Sequence, residues 1–426
     1  MGPMRVHDRT LGLALAVALV AAGCGGPGAG ETAATTMAAT ATSETSAESG
    51  TAATSMVTTA PTSAGPTPGN VPPVAEIDAD RLTGPPPLAV QFSAAGASDP
   101  DGQVVGWAWD FGDDAAGEGA EIGHVYAAPG SYKATLTVTD DDGAKASASA
   151  TVTVGGCPAY KAGTAAVDLD AAALLEASGL AFSKQSPGVL WTHNDSDPDG
   201  PRVYAFATAT GALLGTYTLQ GADVKDWEDM ALGPGPVADK QYLYIGDIGD
   251  NNTDRNSVKV YRAPEPPVDV SQANVMAAIG GVETLSFTYP GGARDSETLL
   301  VDPVSGDLFL VTKVVGASAE VFRAAAPVQS GALEHVADAD LGAMGLATGG
   351  SVSAAGDWVV VRSYFSARMW SRPQGMPLAQ AFMSTPCTVP LAMEIQGEAI
   401  AFAAEGQAYY TVSEGETPPL FAFNVP

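Results

Sequence analysis

Positive charge is what this chain most conspicuously lacks. Lysine and arginine together number 19 against 48 aspartates and glutamates, for a formal charge of −29. No basic cluster interrupts the acidity, so electrostatic binding to nucleic acid or to an anionic bilayer is excluded as a main function. Metal cations and polar uncharged ligands suit such a surface better. Histidine is scarce, with 4 in the chain. No HExxH, Gly-x-Ser-x-Gly elbow, Walker loop or strand-linked GxGxxG occurs, which disfavours zinc peptidases, α/β-hydrolases and nucleotide enzymes. Long apolar runs are absent beyond Leu11 to Ala22, which is too short for an ordinary membrane span. Cysteine appears 3 times, at 24, 157 and 387. A length of 426 residues exceeds one typical core and predicts two or three units.

The N-terminus reads as a targeting segment, with Arg5 and Arg9 ahead of the apolar run and small residues after it. The stretch "LVAAGC" (19–24) resembles the lipobox of bacterial lipoproteins. By that resemblance residues 1–23 are a signal peptide and Cys24 is lipidated, the alternative being an ordinary cleaved signal. The chain would then sit in the cell envelope, facing periplasm or exterior, and meet the membrane only through its lipid. Residues 24–72 are nearly all Ala, Thr, Ser, Gly, Glu and Pro. They predict a disordered tether with a reach of about 40 Å. In an exported chain without CxxC or paired-histidine spacing, Cys157 and Cys387 favour a disulfide over a metal site.

Residues 73–155 carry strand-like runs, "LAVQFSA" (88–94), "VVGWAWDFG" (104–112), "SYKATLTVTD" (131–140) and "KASASATVTV" (145–154), separated by turn signals. Tyr132, Ala134, Leu136 and Val138 fall on one face at period two, which predicts a small β-sandwich. "WDFGDD" (109–114) followed by "HVYAAPGSYKATLTVTDDDG" (124–143) resembles the PKD domain family, an immunoglobulin-like fold that implies a spacer, adhesion or polysaccharide-binding module. Asp114 stands where that motif carries a glycine.

Residues 157–426 repeat. "SGLAFS" (178–183), "EDMALG" (228–233), "ETLLVD" (297–302), "GSVSAA" (350–355) and "EAIAFA" (398–403) read alike. Each is followed by a strand that starts apolar and finishes polar, such as "YLYIGDIGD" (242–250), and then by a third strand and, for the first four, a fourth. Four-stranded units about 50 residues apart are the mark of a β-propeller. The chain is therefore expected to be all-β, a sandwich plus a propeller of five blades, or six if the insertion after Pro266 hides one. The last unit has three strands, and "TAAVDLD" (164–170) can supply its fourth. "LWTHNDS", "DWEDMALGPG" and "LYIGDIGDNN" also resemble an uncharacterised family of exported bacterial propellers, which implies the fold and no chemistry.

A closed ring gathers the repeated polar ends at one axial face. Aligning the repeats puts Ser178, Glu228, Glu297, Gly350 and Glu398 in matching places. His193, Asp247, Lys313, Arg362 and Ser413 match at the end of the second strand, followed by Asn194, Tyr364 and Glu414. Three glutamates round one channel need cations or raised pKa values. Lys313 and Arg362 are one source of positive charge. Calcium is the other, with Glu228, Asp247, Asp250, Asn251 and Asp195 as ligands, although Asp and Asn in such loops also simply close turns. Two functions remain open. One is a surface protein binding a polar ligand, polysaccharide or protein through His193, Asn194, Lys313, Arg362, Tyr364 and Trp227. The other is a hydrolase of glycans or phosphoesters using Glu228, Asp247, Glu297 and Glu398. Trp191, Trp227, Trp358 and Trp370 are expected between blades, Trp227 being the one placed beside a site glutamate.

Overall fold

The computed structural model describes residues 69–426, except 129, 316, 317, 343, 344, 395, 406, 407 and 426. The expected signal segment, Cys24 and the expected tether up to residue 68 lie outside the described residues. Among those described, no helix is long and apolar enough to cross a membrane.

Residues 70 to 154 form the expected sandwich. Asp78–Ala79, Leu88–Ser93 and Glu121–Tyr126 make one sheet; Thr83–Gly84, Val104–Asp110, Ala116–Glu118, Gly130–Asp140 and Lys145–Val154 make the other. Inward alternation buries Phe92, Trp109, Phe111, Tyr126, Leu136 and Val138 between them. Trp109 stacks on Phe111, and the Tyr126 hydroxyl donates to the Phe111 carbonyl at 3.1 Å. Asp114 adopts φ +69°, so the turn keeps the left-handed conformation that the missing glycine would take more cheaply.

Five sheets follow. The inner strands Ala177–Phe182, Trp227–Pro234, Ser296–Val301, Ala347–Val352 and Gly397–Phe402 each begin an antiparallel meander. Each inner strand packs beside the next, and the fifth packs beside the first. Five hydrophobic clusters fill the five junctions: Trp191 with Trp227, Tyr244 with Leu299, Val311 with Trp370, Trp358 with Tyr409, and Leu190 with Val412. This is a ring of five blades. Its inner and second strands are buried on both faces, which is why they read as continuous apolar runs rather than as alternation.

Thr164–Asp168 completes the fifth sheet as its fourth, outer strand, antiparallel to Pro419–Phe423, so a strand from before the first blade joins the last one. Cys157, just ahead of that strand, is bonded to Cys387 in the outer strand of the fourth blade, with Cα atoms 5.5 Å apart. The bond closes a loop with a sequence separation of 230. Changing both cysteines to serine is expected to cost about 3 kcal/mol, read as a fall in melting temperature of roughly 6–12 °C. An unchanged melting point in the double variant would show that the bond does not hold the seam.

Two expectations need correction. The insertion after Pro266 forms no sixth blade; Val275–Ile279 adds a fifth, parallel strand to the first sheet. In the fourth blade the expected fourth strand does not follow the third directly. A short helix, Leu378–Ala381, lies there and buries Leu378 against Trp370, and Cys387–Val389 is the outer strand.

Candidate functional site: the acidic axial face

All five inner strands carry the same irregularity. Their pairing with the second strand slips by one residue between Ala177 and Leu180, Trp227 and Asp229, Ser296 and Thr298, Ala347 and Gly349, and Gly397 and Ala399. A bulge of this kind leaves one residue unpaired and re-aims its side chain. The residues so placed are Ser178, Glu228, Glu297, Thr348 and Glu398, all buried. The fourth-blade equivalent is thus Thr348, not Gly350. Gly350 instead lies so close to Val360 O and Thr298 that a side chain would not fit.

Three of the five are acids, and one ammonium stands among them. Lys313 Nζ donates to Glu297 Oε1 and, at 3.2 Å, to the Tyr364 hydroxyl, which in turn faces Glu398 Oε1 at 3.5 Å. Lys313 also lies 5.2 Å from the centre of the Tyr364 ring. Burial opposes the lysine charge, but Glu297, Tyr364 and Glu228 more than offset it and hold the pKa above its usual value. Burial first, and then neighbouring carboxylates, push Glu297 and Glu398 up to about 8 and Glu228 well above the usual range, Lys313 pulling the other way. Glu398 Oε2 is buried and accepts no hydrogen bond, while Glu414 and Asp195 face it with like charge. A Cβ on Gly249 would fall 2.1 Å from Glu228 Oε1 and 2.5 Å from Asp226 Oδ2. The second glycine of "YIGDIGDNN" therefore leaves room for two crowded carboxylates.

The remaining sequence-derived residues do not join this group. The residues opposite the bulges are Asn194, Asp247, Ser363 and Ser413, with Thr312 in the third blade. His193 and Arg362 therefore sit one position short of the face and point between blades. His193 is fully buried, its Nδ1–H donating to Asn194 O at 2.9 Å, and burial holds its pKa below the ordinary histidine value. Asn194 spends its side chain on the preceding loop, accepting from Leu175 and Glu176 N–H and donating to Ala173 O. Arg362 forms a buried ion pair with Glu394 at 2.9 Å and donates to Ala399 O. Trp227 is inter-blade core, its Nε1 donating to Asp223 O. Of the six expected ligand contacts, Lys313 and Tyr364 are the two at the acidic group.

The calcium set does not converge either. Asp247 is buried and lies 2.8 Å from Arg255 Nη2. Asp250 closes its own turn, accepting from Asp254 and Arg255 N–H. Asn251 is exposed. Among the described residues, no group of three or more His, Cys, Asp or Glu side chains is arranged to hold a metal ion.

Two residues escaped the sequence reading. Glu394, in a loop, neutralises Arg362 and leaves no periodic signal. Asp229 is fully buried beside the axis and accepts backbone N–H groups from Met230 at 2.8 Å, Leu299 at 2.9 Å and Gly350 at 3.1 Å. It ties together the inner strands of the second, third and fourth blades. Its signal was an acid inside an otherwise apolar inner strand, where only backbone donors can satisfy it.

The molecule is thus an all-β protein with a sandwich and a five-bladed ring whose axis is acidic at one end. Residues 70–154 match the PKD domain family, as the sandwich motifs implied. Over 65 residues the chain is 43% identical to collagenase ColQ1 of Bacillus cereus, which amounts to 15% of this chain and 7% of the collagenase. The PKD1 domain of Vibrio anguillarum Epp is 33% identical, covering 20% of this chain and 95% of that one with a TM-score of 0.18. A Bacteroides thetaiotaomicron protein of unknown function spans 84% of this chain and 99% of its own at 12% identity and a TM-score of 0.36. That likeness is too slight to bear on the ring.

Proposed function

We propose that this is a cell-envelope binding protein, anchored through Cys24 on a flexible tether, with the PKD domain as spacer and the acidic axial face of the ring as its ligand site. The observation that carries the reading is the repeated bulge. It turns three glutamates toward one end of the axis and provides a single lysine among them. A site with surplus buried carboxylate is completed by something that brings donors or positive charge.

The test is thermal melting of the full exported chain against calcium, neutral oligosaccharides and alkylamines. A stabilisation of several degrees by any one of them that vanishes in Glu398→Gln or Glu228→Gln supports the reading. No shift with the whole panel rules it out.

A hydrolase of glycans or phosphoesters is the second reading, favoured by one observation. Carboxyls held near 8 keep a proton at neutral pH, as a general acid must. Turnover of aryl glycosides or aryl phosphates that disappears in Glu398→Gln would establish it. Turnover equal to that of the variant would dismiss it.

A further inference from the structure

We infer that the end of the axis opposite the glutamates is a second binding site, which takes a small carboxylate with a short branched apolar tail. The inference stands on residues that the acidic face does not use, so neither reading depends on the other.

The first observation is a cavity. The repeat that turns Ser178, Glu228, Glu297, Thr348 and Glu398 toward one end brings Phe182, Leu232, Val301, Val352 and Phe402, four residues further along each inner strand, to the other. Four residues of strand cover about 13 Å. All five of these apolar side chains line a cavity of about 50 Å³. Every inner strand contributes to its wall, so it lies on the axis of the ring. That volume admits about three to five water-sized groups, which suits an isopropyl or isobutyl group and not a sugar ring. An apolar tail placed there leaves water for an apolar wall.

The second observation is the charge at the mouth. Lys184, two residues beyond Phe182, is the single charged residue of the lining, and no acid is among the lining residues. The formal charge of −29 repels anions from the molecule at large, and this cavity is where an anion meets no like charge. Lys184 Nζ donates to the carbonyl of Ala354 at 3.2 Å. Lys184 follows the inner strand of the first blade and Ala354 that of the fourth. These blades are not neighbours in the ring, so the lysine stem lies across the mouth. One ammonium N–H is spent on the carbonyl and two remain. Among the described residues no carboxylate faces the ammonium; partial burial alone acts on it and holds its pKa below the ordinary lysine value. A carboxylate ligand accepts the free N–H groups, supplies the counter-charge and carries its tail into the pit. A neutral amide brings the same tail without the charge, and an amine meets Lys184 as a like charge.

The experiment is ligand-observed NMR titration of the full exported chain at neutral pH with isovalerate, isovaleramide, isoamylamine and acetate. Isovalerate is expected to bind, isovaleramide at least threefold more weakly, acetate at least tenfold more weakly, and the amine not at all. Lys184→Gln, at an exposed position, should bring acid and amide to equal affinity. Leu232→Phe, at the half-buried rim, should fill the pit and abolish binding of both, with thermal melting to show that the variant is folded. Two peptides ending in leucine, one with a free C-terminal carboxylate and one amidated, identify the source of the ligand. Preference for the free terminus assigns the site to the end of a partner chain; binding of isovalerate alone assigns it to a free acid. Equal affinity of the wild type for acid and amide, an acid preference that persists in Lys184→Gln, or no binding of either isovalerate or the free-terminus peptide overturns the inference.

Discussion

Asp229→Ala is expected to lower the melting temperature of the protein by roughly 10–20 °C. The carboxylate accepts three backbone N–H groups, one from its own strand and one each from the inner strands of the third and fourth blades. Alanine leaves all three donors buried without an acceptor. Each such group costs about 1–3 kcal/mol, so the loss is on the order of 5 kcal/mol, and a domain of this size shifts by about 2–4 °C per kcal/mol. Asp229→Asn should fall between the two. Its amide oxygen can still receive Leu299 and Gly350, but its NH2 then meets the Met230 N–H, donor against donor. The measurement is thermal unfolding of wild type and both variants by circular dichroism. Equal destabilisation by asparagine and alanine would mean that the donors at Leu299 and Gly350 are not the source. A shift below about 2 °C for alanine would mean that the three strands are held together without this residue.

The contrast between Asp229 and its neighbour Glu228 shows what the sequence could convey. Both stand in "WEDMALG", and composition alone marks them equally. The repeat pattern singled out Glu228 because glutamates recur at 297 and 398. It could not single out Asp229, whose equivalents are Gly179, Thr298, Gly349 and Ala399. Periodicity finds what every blade shares and is blind to what one blade does for its neighbours. The ring, its closing strand and the Cys157–Cys387 bond were legible because each answers a demand of the whole fold: buried sheets need continuous apolar runs, and the last edge needs a partner. The side of the strand was less legible. His193 and Arg362 match Asp247 in polarity, yet the register places them one residue earlier, and one step along a strand exchanges the face for the interior. The fourth blade misled for a related reason. Gly349 and Gly350 offer no apolar anchor, so the repeat pattern falls two residues late, on Gly350 rather than Thr348.

Stability should fall as the pH rises from about 5 to 8, chiefly through the axial glutamates, with the buried Asp229 adding to the fall and the buried His193, its pKa lowered, opposing it below about 6.5. In the unfolded chain a glutamate releases its proton near 4.5; in the folded protein burial and like charge push Glu297 and Glu398 up to about 8, and Glu228 upward as well. Below 4.5 both states are protonated and the site carries no penalty. Between 4.5 and 8 the folded protein holds protons that the unfolded chain has lost, so stability decreases with pH. The slope is about 1.4 kcal/mol per pH unit for each proton held. Above 8 the folded site ionises too and the slope levels off. Because the three acids share one site, the steps belong to the group and not to single residues. Glu398→Gln removes one of these protons from the balance. Its urea-unfolding free energy should therefore fall less steeply than that of wild type between pH 5 and 8, and the two curves should draw apart as pH rises, with the variant the more stable at pH 8. Parallel curves would show that Glu398 titrates alike in the folded and unfolded states and carries no buried charge. A wild-type stability that increases across this window would remove the like-charge crowding at the axis, and with it the need for a ligand to relieve it.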